Sequence, residues 1–406
     1  MRARILVLLV AIALLAGCGG SSGHSSTGSS ANGSTGSRST SDVSGGLVGV
    51  MFDGPVLGSS ANLDQQLDLA LASGVESLRV SVDWSSMEPS PRFADLPAVY
   101  RPAFDDVGGA PIRFAELDPV VGAAARRGIS VLPVIESTPS WDAQLSGNSA
   151  SPPKSLAPFA AFLTALEKRY GPGGSFWSAH PGIAPEPIRM WQIWNEPHFT
   201  RYWAVQPFAP GYVKLLAAAH AALKAADPNA KVVLAGLADF SWESLAQIYA
   251  IPGASRLFDV VAIHPYTTRP QGVITILQRG REVMDQHGDA SKPILATEIT
   301  WNSSLGKAPP QFGIGTTENG QAQLLNELMP LLVTNRAKLG LMGFYWYTWM
   351  GDETPSSSPL AGFNYAGLLK YVDGMVTAKP ALDVYKHWAL TIEACRSKSN
   401  VADRCA

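Results

Sequence analysis

The feature that most constrains this chain recurs eight times after Gly46. A short β-branched or aliphatic run ends in polar or aromatic residues, and a helix-length stretch follows. The strand candidates are Leu47–Phe52, Ser77–Val82, Ser130–Ile135 and Ile188–Trp194, then Lys231–Ala235, Asp259–Ile263, Pro293–Thr297 and Leu341–Tyr347. Between them, Leu63–Ser73, Leu117–Arg127, Pro158–Tyr170, Tyr212–Ala226, Gly272–His287 and Gln321–Asn335 carry apolar residues at three- and four-residue steps, the period of a half-buried helix. Gly74, Gly128, Gly171 and Gly288 stand where helices should stop. Strands alternating with helices predict an α/β fold around a parallel sheet, and eight repeats predict a single (β/α)8 TIM barrel. The competing open, doubly wound sheet wants a Gly-x-Gly-x-x-Gly turn after its first strand, and Phe52-Asp53-Gly54-Pro55 is not one. The long irregular segments 84–114 and 137–153 follow strands two and three. In a barrel they lie on the C-terminal face, where barrel enzymes build active sites.

Hydrophobic residues at 46% of 406 supply a sizeable core for one large domain, residues 47–393. Lys and Arg number 31 against 33 Asp and Glu, so the chain lacks the basic footprint of a nucleic-acid binder. No Cys-x-x-Cys, His-Glu-x-x-His, phosphate-cradling Gly-Lys loop or Gly-x-Ser-x-Gly elbow occurs, and the seven His have no metal-ligand spacing. No metal and no cofactor is expected, and the chain is expected to act as a monomer.

Arg2 and Arg4 precede an apolar run from Ile5 to Ala16. As a helix that run spans only ~18 Å, short of the ~30 Å hydrocarbon core, so it reads as a secretory signal rather than a membrane span. Leu15-Ala16-Gly17-Cys18 resembles the lipobox of bacterial lipoproteins, in which the Cys is lipidated after cleavage. Residues 1–18 are thus expected to be a lipoprotein signal. Residues 19–46, almost all Ser, Gly, Thr and Asn, are expected to be a flexible tether. This places the domain outside the cytoplasm, in a bacterial cell envelope, with the lipid anchor as its one contact with the membrane. In that compartment Cys395 and Cys405 are candidates for a disulfide in the tail, residues 394–406.

Two strands each deliver a glutamate at their tip. In Trp191-Gln192-Ile193-Trp194-Asn195-Glu196-Pro197, the proline cannot donate to a ladder, so the strand stops and leaves Glu196 at the barrel mouth. In Pro293-Ile294-Leu295-Ala296-Thr297-Glu298, the seventh strand ends on Glu298. A barrel brings both tips to one rim. Cleavage of a glycosidic bond needs such a pair, one group protonated and the other ionised.

Trp194-Asn195-Glu196-Pro197 on strand four and Glu298 on strand seven resemble the catalytic pattern of clan A retaining glycoside hydrolases, closest to families 5 and 39. His264-Pro265-Tyr266 after strand six and Arg79 on strand two fit the same pattern. The resemblance implies Glu196 as general acid/base, Glu298 as nucleophile and Asn195 as ligand of the sugar 2-hydroxyl. It implies that Arg79 and Tyr266 hold Glu298 and that His264 lines the site. It also implies a carbohydrate substrate and no cofactor.

The last strand reads Gly343-Phe344-Tyr345-Trp346-Tyr347-Thr348-Trp349. Alternation separates Trp346 from Trp349. Trp349, nearer the C-terminal end, is the expected stacking platform for the sugar, with Trp346 as the fallback and Trp141 as a second platform. The expected activity is hydrolysis of O-glycosidic bonds, β-linked, in an extracellular or cell-surface polysaccharide or oligosaccharide. The alternative is an inert barrel that binds carbohydrate at the cell surface.

Overall fold

The computed structural model describes residues 48–58, 60–309 and 313–392. The lipobox Cys18, the tether and the Cys395–Cys405 pair lie outside the described residues. Eight strands form the barrel: β1 (Val48–Phe52), β2 (Ser77–Asp83), β3 (Ser130–Glu136), β4 (Met190–Ile193), β5 (Lys231–Val233), β6 (Val261–Ile263), β7 (Ile294–Ile299) and β8 (Leu341–Trp346). All are parallel to their neighbours, and β8 pairs back onto β1. β5 and β6 close the ring through the bridges Val233–Val260 and Leu237–Ile263. The fold is therefore the predicted (β/α)8 barrel.

The six expected helices are α1 (Leu63–Ala72), α2 (Asp118–Ala125), α3 (Leu156–Tyr170), α4 (Phe208–Ala226), α6 (Pro270–Gln286) and α7 (Glu318–Leu339). Two more complete the ring, α5 (Ser241–Tyr249) and α8 (Pro380–Ile392). Starts carry side-chain caps: Asn62 Oδ1 accepts from the Gln65 amide, and Thr317 Oγ1 accepts from the Gly320 amide, both at 3.0 Å. Gly74 and Gly128 end α1 and α2 in the left-handed region, which side chains with a Cβ rarely adopt. No described helix is long and apolar enough to cross a membrane.

Strand alternation divides the core in two. Outward-facing residues such as Val80, Ile135, Trp191 and Ile294 pack against the helices. Inward-facing Leu132, Val233, Val260, Ala262, Leu295 and Tyr345 form a separate apolar floor inside the barrel. Gly49 lets the Tyr345 ring lie against β1, since a Cβ there would sit 2.6 Å from the ring. Above this floor the inward positions turn polar with Arg79, Gln192 and Thr297, all buried.

The segment after β2 holds a short helix, Trp84–Met87, and an antiparallel hairpin, Asp105–Val107 with Ala110–Ile112. After β8 the chain makes a three-stranded sheet from Met350–Asp352, Leu369–Val372 and Met375–Ala378, which the sequence reading did not anticipate. Buried Lys379 pins this sheet to the barrel: its Nζ donates to Glu353 Oε1 and Ser303 Oγ, both at 3.0 Å, and to the Tyr365 carbonyl at 2.9 Å. Burial pushes Lys379 down to about 8, against the opposing pull of Glu353.

Candidate active site

Glu298 reaches the barrel interior through a break in strand register. Between Ala296 and Ile299, β7 advances three residues while β8 advances two, from Phe344 to Trp346. The extra residue is a β-bulge. Leu295 and Thr297 face inward, and the bulge turns Glu298 inward as well, where strict alternation would send it out. Its two oxygens are both engaged: Oε1 accepts from Arg79 Nη1 at 2.6 Å, and Oε2 accepts from the Tyr266 hydroxyl at 2.5 Å.

Arg79 is almost wholly buried and satisfied on every nitrogen. Nε donates to Gln192 Oε1 at 2.8 Å, Nη2 to Asn195 Oδ1 at 2.9 Å, and Nη1 also approaches the Met51 sulfur at 3.1 Å. One guanidinium thereby joins β1, β2, β4 and β7.

Glu196 arrives by a different device. β4 ends at Ile193, and Trp194 and Glu196 have φ of 71° and 39°. These left-handed conformations are strained for bulky residues. They rotate the chain so that consecutive Asn195 and Glu196 both line the pocket. Glu196 Oε1 lies 2.9 Å from His264 Nδ1, and Oε2 accepts from Arg201 Nη2 at 3.0 Å. Burial pushes the Glu196 carboxyl up, but the His264 hydrogen bond and the Arg201 guanidinium outweigh it and bring it below the ordinary value. His264 is itself fully buried. Its Nε2 has no hydrogen-bond partner among the described residues and sits against Gly236, where a Cβ would come within 1.9 Å of it.

Glu298, Glu196, Asn195, Arg79, Tyr266 and Arg201 line a cavity of about 350 Å³ at the C-terminal ends of the strands, whereas the fully buried His264, expected to line the site, is not part of that lining. Three further carboxyls, Asp53 after β1, Glu136 at the end of β3 and Asp239 in the loop after β5, line it too, as does Tyr347 just beyond β8. Burial pushes Asp53 up to about 6 and Glu136 to about 7, with hydrogen bonds from Thr348 and Ser81 respectively opposing the shift. A larger cavity of about 570 Å³ lies on the outer face of β2 near Val56 and Leu117 and contains neither strand-tip glutamate of the expected pair.

Glu196, His264 and Glu298 offer donor atoms within 4.8 Å of one another, close enough for a metal. The donor set does not suit one. All four carboxylate oxygens already meet Arg79, Tyr266, His264 or Arg201, and two of those partners carry a positive charge.

Six of the sequence candidates, Glu196, Glu298, Asn195, Arg79, His264 and Tyr266, converge on one cluster. The aromatic candidates do not. Trp349 is fully buried beneath the rim, stacked near Phe52, with its Nε1 donating to Gln66 of α1 at 3.1 Å. Trp346 faces the helix layer, beside Trp301, and its Nε1 donates to the Ala366 carbonyl. Trp141 packs edge-on to Trp84 and donates to the Glu88 carbonyl at 3.0 Å, so it anchors its loop. The pocket aromatic on this side is Tyr347, which shares the inward parity of Tyr345. Asp53 and Glu136 obey the same strand-tip rule that picked out the two glutamates. Arg201, in the loop after β4, carried no sequence signal.

No protein-family profile matches the sequence, and no curated protein matches it. Solved structures do share its fold. A monomeric β-xylosidase from Caulobacter crescentus CB15 superposes with a TM-score of 0.58 at 19% identity, over 84% of this chain and 67% of that one. A family 39 glycoside hydrolase from the gut symbiont Bacteroides cellulosilyticus WH2 gives 0.56 at 16%, over 84% and 63%. An exo-β-1,4-mannosidase from Opitutaceae bacterium strain TAV5 gives 0.57 at 15%, over 88% and 60%. The chain spans about two thirds of the length of these neighbours. What is shared at this identity is the (β/α)8 barrel fold.

The raised Glu136 carboxyl predicts a pH-dependent stability. Its folded value of about 7 lies above the ordinary 4.5, so its stabilising contribution is complete below about 4.5 and lost as pH rises through about 7. Glu136→Gln should change stability little at pH 5 and raise it by about 1–3 kcal/mol at pH 8, relative to the native chain. Denaturant unfolding at the two pH values checks this, and equal effects at both would contradict it.

Proposed function

We infer that the protein is a retaining glycoside hydrolase acting on β-linked sugars of an extracellular or cell-surface polysaccharide or oligosaccharide. The observation that carries this is the pair Glu196 and Glu298, one oxygen of each lying within 4.8 Å of the other, in unlike surroundings. Retaining enzymes hold their carboxyls roughly 5–5.5 Å apart, whereas inverting ones leave roughly 6.5–9.5 Å for a water. Neighbours named as a xylosidase and a mannosidase support the same class.

In the first step Glu298, oriented by Arg79 and Tyr266, attacks the anomeric carbon. The bond to the leaving oxygen breaks, and Glu196 gives that oxygen its proton. Asn195 accepts from Arg79 through Oδ1, which leaves Nδ2 to donate to the sugar 2-hydroxyl. In the second step Glu196 takes a proton from water, whose oxygen displaces Glu298 from the sugar. The pull of His264 and Arg201 on Glu196 favours the base form needed there. Tyr347 stands where the sequence reading put a tryptophan platform.

The proposal extends to location. Cys18 is lipidated and holds the domain at the bacterial cell envelope through the 19–46 tether. Cys18→Ser should then move the protein from the membrane fraction to a soluble or unprocessed form. Unchanged fractionation and lipid labelling would refute the anchor.

Two measurements test the chemistry. Glu298→Ala should abolish turnover of every glycoside, whereas Glu196→Ala should cost about 10²–10⁴-fold on natural glycans. It should cost less on aryl glycosides, and azide should rescue it with a β-glycosyl azide as product, identified by NMR. Azide rescue at Glu298 with an inverted product, and none at Glu196, would overturn the assignment. The second concerns pH. The first step needs protonated Glu196, which is lost as pH rises through its lowered value. Arg201→Ala removes a cation, raises Glu196 and should move the alkaline limb of kcat/KM to higher pH. An unmoved limb would show that Arg201 does not tune the acid.

A further inference from the structure

Among the described residues that line the pocket, one carries sulfur: Met51. In β1, Val48, Val50 and Phe52 pack into the core beneath the helices, so Met51 faces the barrel interior. It pairs with Arg79 across the β1–β2 ladder and is 6% exposed, on the wall of the 350 Å³ cavity. Its sulfur lies 3.1 Å from Arg79 Nη1. The same nitrogen donates to Glu298 Oε1 at 2.6 Å. One guanidinium nitrogen is thus shared between a carboxylate and a thioether.

A thioether is a weak acceptor, so Nη1 stays with Glu298 while the sulfur is reduced. Oxidation to the sulfoxide turns the same side chain polar and gives it an oxygen as acceptor. The other two nitrogens of Arg79 already hold Gln192 and Asn195, so the new oxygen competes for Nη1. The side chain is also larger by that oxygen, in a place packed too closely to take it without moving a neighbour. The guanidinium is the polar neighbour already in contact.

We propose that Met51 is a site of oxidative modification, and that its sulfoxide draws Arg79 off Glu298 and disables the pocket. The oxidant is a peroxide, small enough to enter the cavity. A sulfur lone pair attacks one peroxide oxygen. The S–O bond forms as the O–O bond breaks, and the proton on the attacked oxygen passes to the departing one. With hydrogen peroxide the second product is water. The sulfur is oxidised by two electrons and the peroxide is reduced by two. Once Nη1 turns to the sulfoxide, Glu298 keeps Tyr266 but loses its buried cation, and a buried carboxylate without its cation is strongly destabilised. Methionines elsewhere give the comparison. Met375, in the sheet after β8, is 67% exposed and outside the cavity lining, whereas Met284 is fully buried under α6.

The native chain and Met51→Leu are treated with graded hydrogen peroxide, and sulfoxides are located by peptide mass mapping. Turnover of aryl glucosides, xylosides and mannosides and the melting temperature are read at each dose. In the native chain Met375 should convert first, with neither readout changed. Turnover should then fall by about 10²-fold in step with Met51 conversion, the cost of a group displaced by roughly an ångström, and the melting temperature should fall with it. Met51→Leu should hold its own starting turnover and melting temperature through the same doses. Equal losses in Met51→Leu overturn the proposal. The native chain also decides it with no variant needed. Full conversion of Met51 with both readouts unchanged overturns it, and so does a Met51 still reduced when Met284 has been oxidised. A native chain that turns over none of the glycosides sinks the hydrolase reading alone, because the melting temperature still reports the fate of the Arg79–Glu298 pair.

Discussion

The rest of the site depends on one buried ion pair, Arg79 with Glu298. Taking a guanidinium and a carboxylate out of water costs several kcal/mol each, and attraction between them offsets this only when the remaining donors are also satisfied. Here they are. Gln192 and Asn195 take the other two nitrogens, and Tyr266 takes the second oxygen of Glu298. Removing any one partner strands a polar group inside a barrel whose floor is apolar. The arrangement therefore fixes the relative heights of β2, β4 and β7, and with them the gap between the two strand-tip glutamates.

Around that pair the backbone is bent away from regular geometry where side chains must be aimed. Ser137, Trp194, Glu196 and Asp239 have positive φ, four of the five such non-glycine residues described, and each lies at or just beyond a strand tip on the pocket face. The β7 bulge belongs to the same group. Such conformations cost of order 1–3 kcal/mol apiece and persist only where packing over-determines them. The apolar layer between strands and helices supplies that constraint.

The electrostatics of the pocket are unequal by construction. Each strand-tip glutamate has a guanidinium, but Glu196 adds an imidazole and Glu298 a phenol. Of the three further carboxyls in the pocket, Asp53 and Glu136 are held by hydroxyls. Crowding acids in a half-buried site opposes folding at neutral pH, and sites built for function commonly carry such a cost.

Much of this was legible in the chain. Periodicity alone located eight strands and six of the helices, because a parallel barrel buries both strand faces and leaves a distinct hydrophobic signal. Polar residues at strand tips then marked Glu196 and Glu298, since barrel topology sends every tip to one rim, and the family resemblance added Arg79, Asn195 and His264. The pocket aromatic next to β8 was not legible. Alternation holds only while a strand lasts, and β8 ends at Trp346, so Trp349 turned under the rim to meet Gln66 while Tyr347 kept the inward direction. Arg201 could not be read at all, because a loop residue finds its partner only through the path the loop takes. Sequence pattern determined which strands exist and what stands at their tips, since both are local. Tertiary structure decided which side chains point inward, through a bulge and a few left-handed residues that no local period records.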